Sequence, residues 1–338
     1  MRRRSLHKDA LREAISRVAN APCAIRRPEI GGEGTTSCAS DAKKFGAWDQ
    51  NLMTEWHIRY GGRGVMIYWH VEKKAVCIYA QRKRCSSSEV AAMIAGVLRH
   101  GTEMEVEQQD VDSHGQSEVA FALSHLLGFD LLPRLKAIAS HKLSRPHPGN
   151  VDAYPHLQSI LTQPINWALS RQQYDDMIKD TTALRLGTAE PESILRRFPR
   201  NNVPHPTYQA RVELGKAIKT TFLARYLHEE SLRREVNAGL NVVENWNSAN
   251  GFIFYGKSGE IATNRLDDQE LSVLSLPLLQ ACLVSINTLM LQAILANPTW
   301  MGRMTADDFR ALSPLGYTHI NPYGTFALDM DARRPIAA

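Results

Sequence analysis

Apolar residues fall into two kinds of spacing along this chain. Leu11, Ile15 and Val18 recur at helical intervals against Arg12, Glu13 and Arg17, which predicts an amphipathic helix over 7–19. Residues 22–36 hold Pro22, Pro28, Gly31, Gly32 and Gly34 and read as loop. Small and β-branched residues from Thr35 then predict a short strand that ends in Asp41. Gly61-Gly62-Arg63-Gly64 reads as a flexible turn, without the Lys-Ser/Thr of a phosphate loop. Two strongly apolar strands follow, 65–71 and 75–80, with a hairpin-length link at 72–74. Ser86 and Glu89 have the spacing of a capping box for a helix from about 87 to 100. Met104, Val106 and Val111 alternate with polar neighbours, a strand that runs into Asp112. Ser113-His114-Gly115 ends it, and Val119, Phe121, Ala122 and Leu126 predict a helix over 118–127. Residues 131–135 fit an edge strand, where Pro133 is tolerated.

Three strands, helix, strand, helix, short strand is the order of a mixed sheet with helices on its faces, as in RNase H-like folds. Pro, His and Gly concentrate at 140–155 and mark a boundary. From 156 to 235 only helical patterns are visible: 170–185, 190–198 and 207–228. A helix over 232–250, a short extended piece at 252–255, a long apolar helix over 266–296 and a last helix capped by Thr305 and Asp308 complete the pattern. The expected fold is α/β: an RNase H-like mixed sheet flanked by helices, with an all-α insertion ahead of the second core part. The divisions are a basic amphipathic helix and linker (1–27), the first core part (28–140), the insertion (141–231), the second core part with C-terminal helices (232–328) and a disordered tail (329–338).

Composition narrows the class. With 338 residues, 43% hydrophobic and 22% charged, the chain can bury a large core. Its longest apolar stretch, 271–295, is interrupted by Pro277, Gln280, Asn287 and Gln292 and reads as a buried helix, not a membrane span. No apolar segment follows Arg2, Arg3 and Arg4, which argues against a secretory signal. Five cysteines without Cys-x-x-Cys pairing argue for reduced thiols and against a zinc site. The net charge is +5, with eight Arg/Lys against Asp9 and Glu13 in residues 1–27 and further basic residues over 196–234. Such patches suit phosphate contact and equally suit solvated helix faces; charge alone does not separate the two.

Strand-borne acids joined by a helix-borne acid suit one chemistry. Two divalent ions roughly 3.5–4 Å apart clamp the attacking and leaving oxygens of an in-line phosphoryl displacement. Hard Mg²⁺ asks for carboxylate oxygens. Asp41 neighbours Asp112 if the first and fourth strands are adjacent, and Glu244, in Asn241-Val242-Val243-Glu244-Asn245-Trp246-Asn247, is the helical candidate. Spacing alone is weak ground in a chain with 35 acids. Glu118 is a fallback ligand, or a first-turn acid favoured by the helix dipole. Asp110, Asp112 and His114 resemble the start of an EF-hand loop, but Phe121 stands where a bidentate Glu is required, so that reading fails. His114 could donate to a phosphate or leaving oxygen, or simply bond backbone. Asp110 reads as a solvated strand residue ahead of an outer-shell group, His125 as a core histidine, and Trp246 as packing ahead of a base-stacking surface. Arg134 could meet DNA backbone or solvent.

Several motifs carry a resemblance. They are Gly34-Thr35-Thr36-Ser37-Cys38-Ala39-Ser40-Asp41, Val111-Asp112-Ser113-His114-Gly115, residues 121–129 (FALSHLLGF) with Pro133-Arg134, Gly239-Leu240-Asn241 leading to Glu244, and residues 312–321 (LSPLGYTHIN). Together, and in this order, they resemble the C-terminal catalytic part of a Tn3-family transposase. The resemblance implies that Asp41, Asp112 and Glu244 are the family's DDE triad, serving as catalytic residues and metal ligands, with His114 and Asn241 as auxiliaries. It implies two divalent ions, Mg²⁺ or Mn²⁺. It implies cleavage at transposon ends, then attack of the freed 3′-hydroxyl on target DNA with no covalent protein–DNA intermediate, in replicative transposition. The gap from Asp112 to Glu244, 244 − 112 = 132 residues, suits an insertion there.

The implied partners are terminal inverted repeats and target DNA, bound by a homo-oligomer, with Arg2, Arg3, Arg4 and Arg134 as candidate DNA contacts. The implied location is the bacterial cytoplasm, at the nucleoid. Two departures stand out. The family often has Asn-Lys-Gly-Glu where this chain has Asn241-Val242-Val243-Glu244, so a basic residue beside the Glu is missing. Family members are also much longer, and their end-recognition regions have no counterpart here. The competing expectation is therefore a truncated, non-catalytic remnant that binds DNA or full-length transposase.

Overall fold

A computed structural model describes residues 7–25, 36–58, 61–149, 154–196, 205–254, 260, 261, 263–321, 323–325, 327, 329, 331 and 332. Arg2, Arg3 and Arg4, Gly34-Thr35 and most of the expected tail lie outside the described residues.

The sheet is built from β1 (Ser37–Gly46), β2 (Glu55–His57), β3 (Gly62–Glu72), β4 (Cys77–Lys83), β5 (Gln108–Val111) and β6 (Asp130–Pro133). Its order is β2-β3-β1-β5-β6, with β4 also paired to β3. β3 runs antiparallel to β1 and β4, whereas β5 is parallel to both β1 and β6. This is the expected mixed sheet, consistent with an RNase H-like fold. β1 is longer than predicted and continues five residues past Asp41, because it pairs with β3 from Cys38 to Gly46 and buries Ala42 and Phe45. β5 is shorter than predicted: Met104 and Val106 precede the strand, since pairing with β1 begins only at Gln108.

Helices cover both faces. α1 (Lys8–Ile25) lies against the C-terminal part of the chain. On one sheet face, α2 (Glu89–Arg99) takes the His70 ring, whose Nε2 is 3.0 Å from the Met93 carbonyl. Its N-cap is Ser88, which accepts from the Ala91 N–H, so Glu89 is a first-turn residue and not the far half of a capping box from Ser86. α3 (Glu118–Leu127) matches its predicted span and is capped by Ser117. In 141–231 the pattern is not purely helical: β7 (Leu143–Arg145) and β8 (Leu161–Pro164) form a two-stranded parallel sheet. Strands of three and four residues are too short to show a periodicity. α4 (Trp167–Gln172), α5 (Tyr174–Arg185), α6 (Pro191–Arg196) and α7 (Pro206–His228) follow.

α8 (Glu230–Ile253) covers the other face of the sheet. It absorbs Phe252 and Ile253, predicted as extended, because Val243, Trp246, Ala249 and Asn250 keep its buried stripe in phase up to that point. Trp246 packs edge-on to Trp69 of β3 at 6.3 Å between ring centroids, both fully buried. α9 (Leu266–Leu295) runs unbroken through Pro277. It is long and apolar enough to cross a membrane by length and composition, yet its buried side includes Leu274, which packs with Leu11 and Ile15 of α1. The short helices α10 (Pro298–Met301) and α11 (Ala306–Ala311) end the described elements, α11 with the predicted Thr305–Asp308 capping box.

Candidate active site

Register builds the site. In the parallel β1–β5 pair Ser40 stands opposite Val111, so Asp41 and Asp112 are the next residues on adjacent strands. Asp112 leaves β5 into the Ser113–Gly115 turn, at the carboxyl ends of parallel strands, where open α/β sheets place ligand sites. Glu244 comes from α8 on the face above. The three sequence-predicted acids are thus drawn to one end of the sheet by three elements.

Chain cations lie among them. Arg134 follows β6, and its Nη2 is 3.3 Å from Asp112 Oδ1 and 3.4 Å from Glu244 Oε1. Its Nε is also 3.3 Å from Asp112 Oδ1. Lys136 Nζ takes the other oxygen of Asp112, Oδ2, at 3.2 Å. Asp41 accepts a 3.0 Å hydrogen bond from the Asn247 amide, and Lys43 donates to the Asn247 carbonyl. A small cleft at this end is lined by Asp41, Tyr68, Glu89, Asp112, His114 and Gly115. Glu89 faces it from the first turn of α2, 3.6 Å from Lys83 and 3.8 Å from His114 Nε2. A larger cleft, lined by Glu55, Gly64 and Arg82–Cys85 among others, holds none of the three acids.

The acids differ in how readily they ionise. Burial pushes the Asp41 carboxyl up to about 6, against the lowering pull of the Ala42 N–H, and the negative charges of Glu89, Asp112 and Glu244 push the same way. Burial also raises Asp112, but the Ser113 N–H, Lys136 and Arg134 outweigh it and hold that carboxyl below its usual value. The cluster is cation-poor at Asp41 and cation-filled at Asp112.

The donor set is oxygen-only and anionic, the chemistry of a hard divalent cation's ligands. As placed, no three His, Cys, Asp or Glu side chains among the described residues stand close enough to share an ion. The Arg134 guanidinium bridges Asp112 and Glu244. The residues therefore fit such an ion by charge and donor type, at a place the chain's own cations now occupy.

Other expectations resolve differently. Glu118 pairs with Lys219 of α7 at 2.8 Å and belongs to helix packing. Asp110 is fully buried, not solvated: it lies 3.5 Å from Lys73 and under Gly239 of α8. His125 is exposed, because it sits on the side of α3 opposite the buried Leu123 and Leu127. Asn241 lies on the exposed side of α8, one turn before Glu244. Sequence reasoning missed Lys136, Asn247 and Glu89. Asn247 is three residues past Glu244, a helical spacing that puts the two on neighbouring positions of one face; Glu89 leaves no comparable trace.

A mixed-sheet α/β domain with acids carried by two parallel strands and a covering helix is the class that fold and site define. The chain matches the family described as "Tn3 transposase DDE domain" over residues 1–326, and it belongs to that family. It is 28% identical over 322 residues to the transposase of transposon Tn1546 from Enterococcus faecium, covering 95% of this chain and 32% of that protein. It is 30% identical over 302 residues to the transposase of Tn501 from Pseudomonas aeruginosa (87% and 30%). With the transposase of Tn21 from Escherichia coli it shares 30% identity over 322 residues (93% and 32%). The chain thus spans about a third of the length of these relatives.

Proposed function

We propose that this chain is the catalytic domain of a DNA transposase that cleaves at transposon ends and transfers the freed 3′-hydroxyl to target DNA. The observation that carries the proposal is the Asp41–Asp112 register on parallel strands, with Glu244 tied to Asp112 through Arg134.

Asp41, Asp112 and Glu244 are read as the catalytic carboxylates and the ligands of two divalent ions, Mg²⁺ or Mn²⁺. Bound there, such ions supply Lewis-acid stabilisation of the phosphoryl oxygens. The chain's own residues do the remaining work. Asn247 orients Asp41 through its amide, and Lys43 holds Asn247 in place by its carbonyl. The Ser113 N–H keeps Asp112 ionised. His114, more than half exposed at the cleft, is set to bond a phosphate oxygen, and Asn241 is a further auxiliary on the exposed side of α8. The segment 141–231 is read as an insertion between Asp112 and Glu244, a small sheet and helices rather than helices alone. DNA ends and target, a homo-oligomer on DNA and a place inside the bacterial cell follow from the family.

The test is joining of a supplied, pre-nicked transposon end in Mg²⁺ or Mn²⁺, comparing the chain with Glu244→Gln. The expected result is metal-dependent joining that falls by on the order of 10²-fold or more in the variant, the scale of a few kcal/mol of lost transition-state stabilisation. Retained DNA binding with no joining by either protein would overturn the catalytic reading and leave a DNA-binding remnant.

A further inference from the structure

Arg134 is held in a way that suits exchange. Its three contacts to Asp112 and Glu244 are 3.3, 3.3 and 3.4 Å, long beside the roughly 2.7–2.9 Å of tight charge-assisted bonds. The side chain is about one-third exposed, and Glu244 about half. Its backbone is fixed: the Arg134 N–H donates to the Val111 carbonyl at 2.9 Å, in line with the β5–β6 ladder. The guanidinium can therefore change partner without leaving the neighbourhood of Asp112. Lys136 covers the second oxygen of Asp112 and is more exposed still.

Both Asp112 oxygens and one of Glu244 are thus occupied by cations of the chain. A divalent ion taking the same oxygens would sit against the guanidinium and the ammonium, like charge on like charge. The planar fork of Arg fits a phosphate as well as it fits a carboxylate.

We propose that Arg134, assisted by Lys136, is an exchangeable counter-ion: it bridges Asp112 and Glu244 in the free protein and passes to a DNA phosphate when those carboxylates take a divalent ion. The proposal rests on the three acids being the metal ligands. Its consequence is reciprocal: DNA raises metal affinity and metal raises DNA affinity by the same factor. The free protein is then a poor metal binder, which withholds the hydrolytic site until DNA is in place.

Mn²⁺ binding to the full chain, read from the electron paramagnetic resonance signal of free Mn²⁺, tests this with and without a short duplex of arbitrary sequence. DNA alone is titrated as the blank, and circular dichroism checks the fold of each variant. For the wild type, DNA is expected to raise Mn²⁺ affinity about tenfold, within the usual range for coupled sites. R134Q is expected to bind Mn²⁺ about tenfold tighter without DNA and to lose most of the response to DNA. K136Q, altering a more exposed side chain, is expected to move the same way by less. D41N, which leaves both cations in place, is expected to lose Mn²⁺ affinity in either condition. If D41N behaves so while R134Q and K136Q keep the wild-type response to DNA, the exchange is refuted and the metal reading stands. If no form binds Mn²⁺ beyond the blank even with DNA, both are refuted.

Discussion

His70 and Asp110 show what burial does to single ionisable groups in this core. Burial drives the His70 imidazole down to about 3, against the raising contact with the Met93 carbonyl, so it is neutral when folded and ordinary when unfolded. Its share of stability is complete above about 6.5 and is lost as pH falls towards 3. Asp110 has the opposite sign. Burial lifts it to about 7 although Lys73 pulls it down, so its share is complete below about 3.8 and is lost as pH rises through 7. Between pH 4 and 6.5 the two slopes oppose each other, each at most about 1.4 kcal/mol per pH unit. Asp110→Asn is expected to give a stability that climbs more steeply with pH over this window, and His70→Gln one that falls. Urea unfolding at a series of pH values reads both, and equal slopes in the two variants would contradict the assignment. Neither environment was legible in the sequence: His70 lies unmarked in an apolar strand, and Asp110, in a polar-looking one, reads as solvated. Only the register and the helices above them fix their surroundings.

Helices on this sheet are seated by glycines at close approaches. A Cβ on Gly215 of α7 would come 1.8 Å from the Glu118 carbonyl oxygen of α3, and one on Gly239 of α8 would come 2.1 Å from Asp110 Oδ2. Ala is the better helix former by about 1 kcal/mol at an open position, but contact with another helix's backbone cannot be relieved by a rotamer change. Gly215→Ala is therefore expected to destabilise by about 1–3 kcal/mol net, seen as a lower urea midpoint with an unchanged slope. Trp246→Ala is expected to cost about 3–5 kcal/mol, since both indoles of the Trp69 pair are fully buried. It should also lower strand transfer, because Trp246 seats the helix that carries Glu244. An unchanged midpoint would remove α8 from the core. Elements with a strong period, such as α3 and the β3–β4 hairpin, were legible from the sequence. β7 and β8 were not, being no longer than two periods, and the end of β1 was not, because its continuation depends on the partner strand. The three acids of the candidate site were expected from family motifs, whereas Lys136 and Glu89 come beside them only through folding.

Charge read along the chain and charge read on the folded molecule point to different places. The basic N-terminal helix has its cations paired already: Arg12 with Asp9 at 3.2 Å and Arg17 with Glu13 at 2.6 Å within α1, and Lys8 with Glu270 of α9 at 3.8 Å. Its buried side meets α9, not the acid cluster. Arg134 and Lys136 instead stand at the carboxyl ends of the parallel strands, beside the acids of the proposed site. For the described part of the molecule, phosphate contact is therefore expected from the loop after β6 and not from α1. Each phosphate neutralised adds about 0.9 to the slope of log affinity against log salt. Lys136→Gln, measured with saturating Mn²⁺ so that its ammonium is released from Asp112, is expected to flatten that slope by about one contact. The double change Arg12→Ala and Arg17→Ala is expected to leave it as it was, since each removes a charge that a neighbouring acid already compensates. The reverse outcome would move the DNA path to the α1 side of the molecule, and Arg134 would then have no phosphate within reach to receive it.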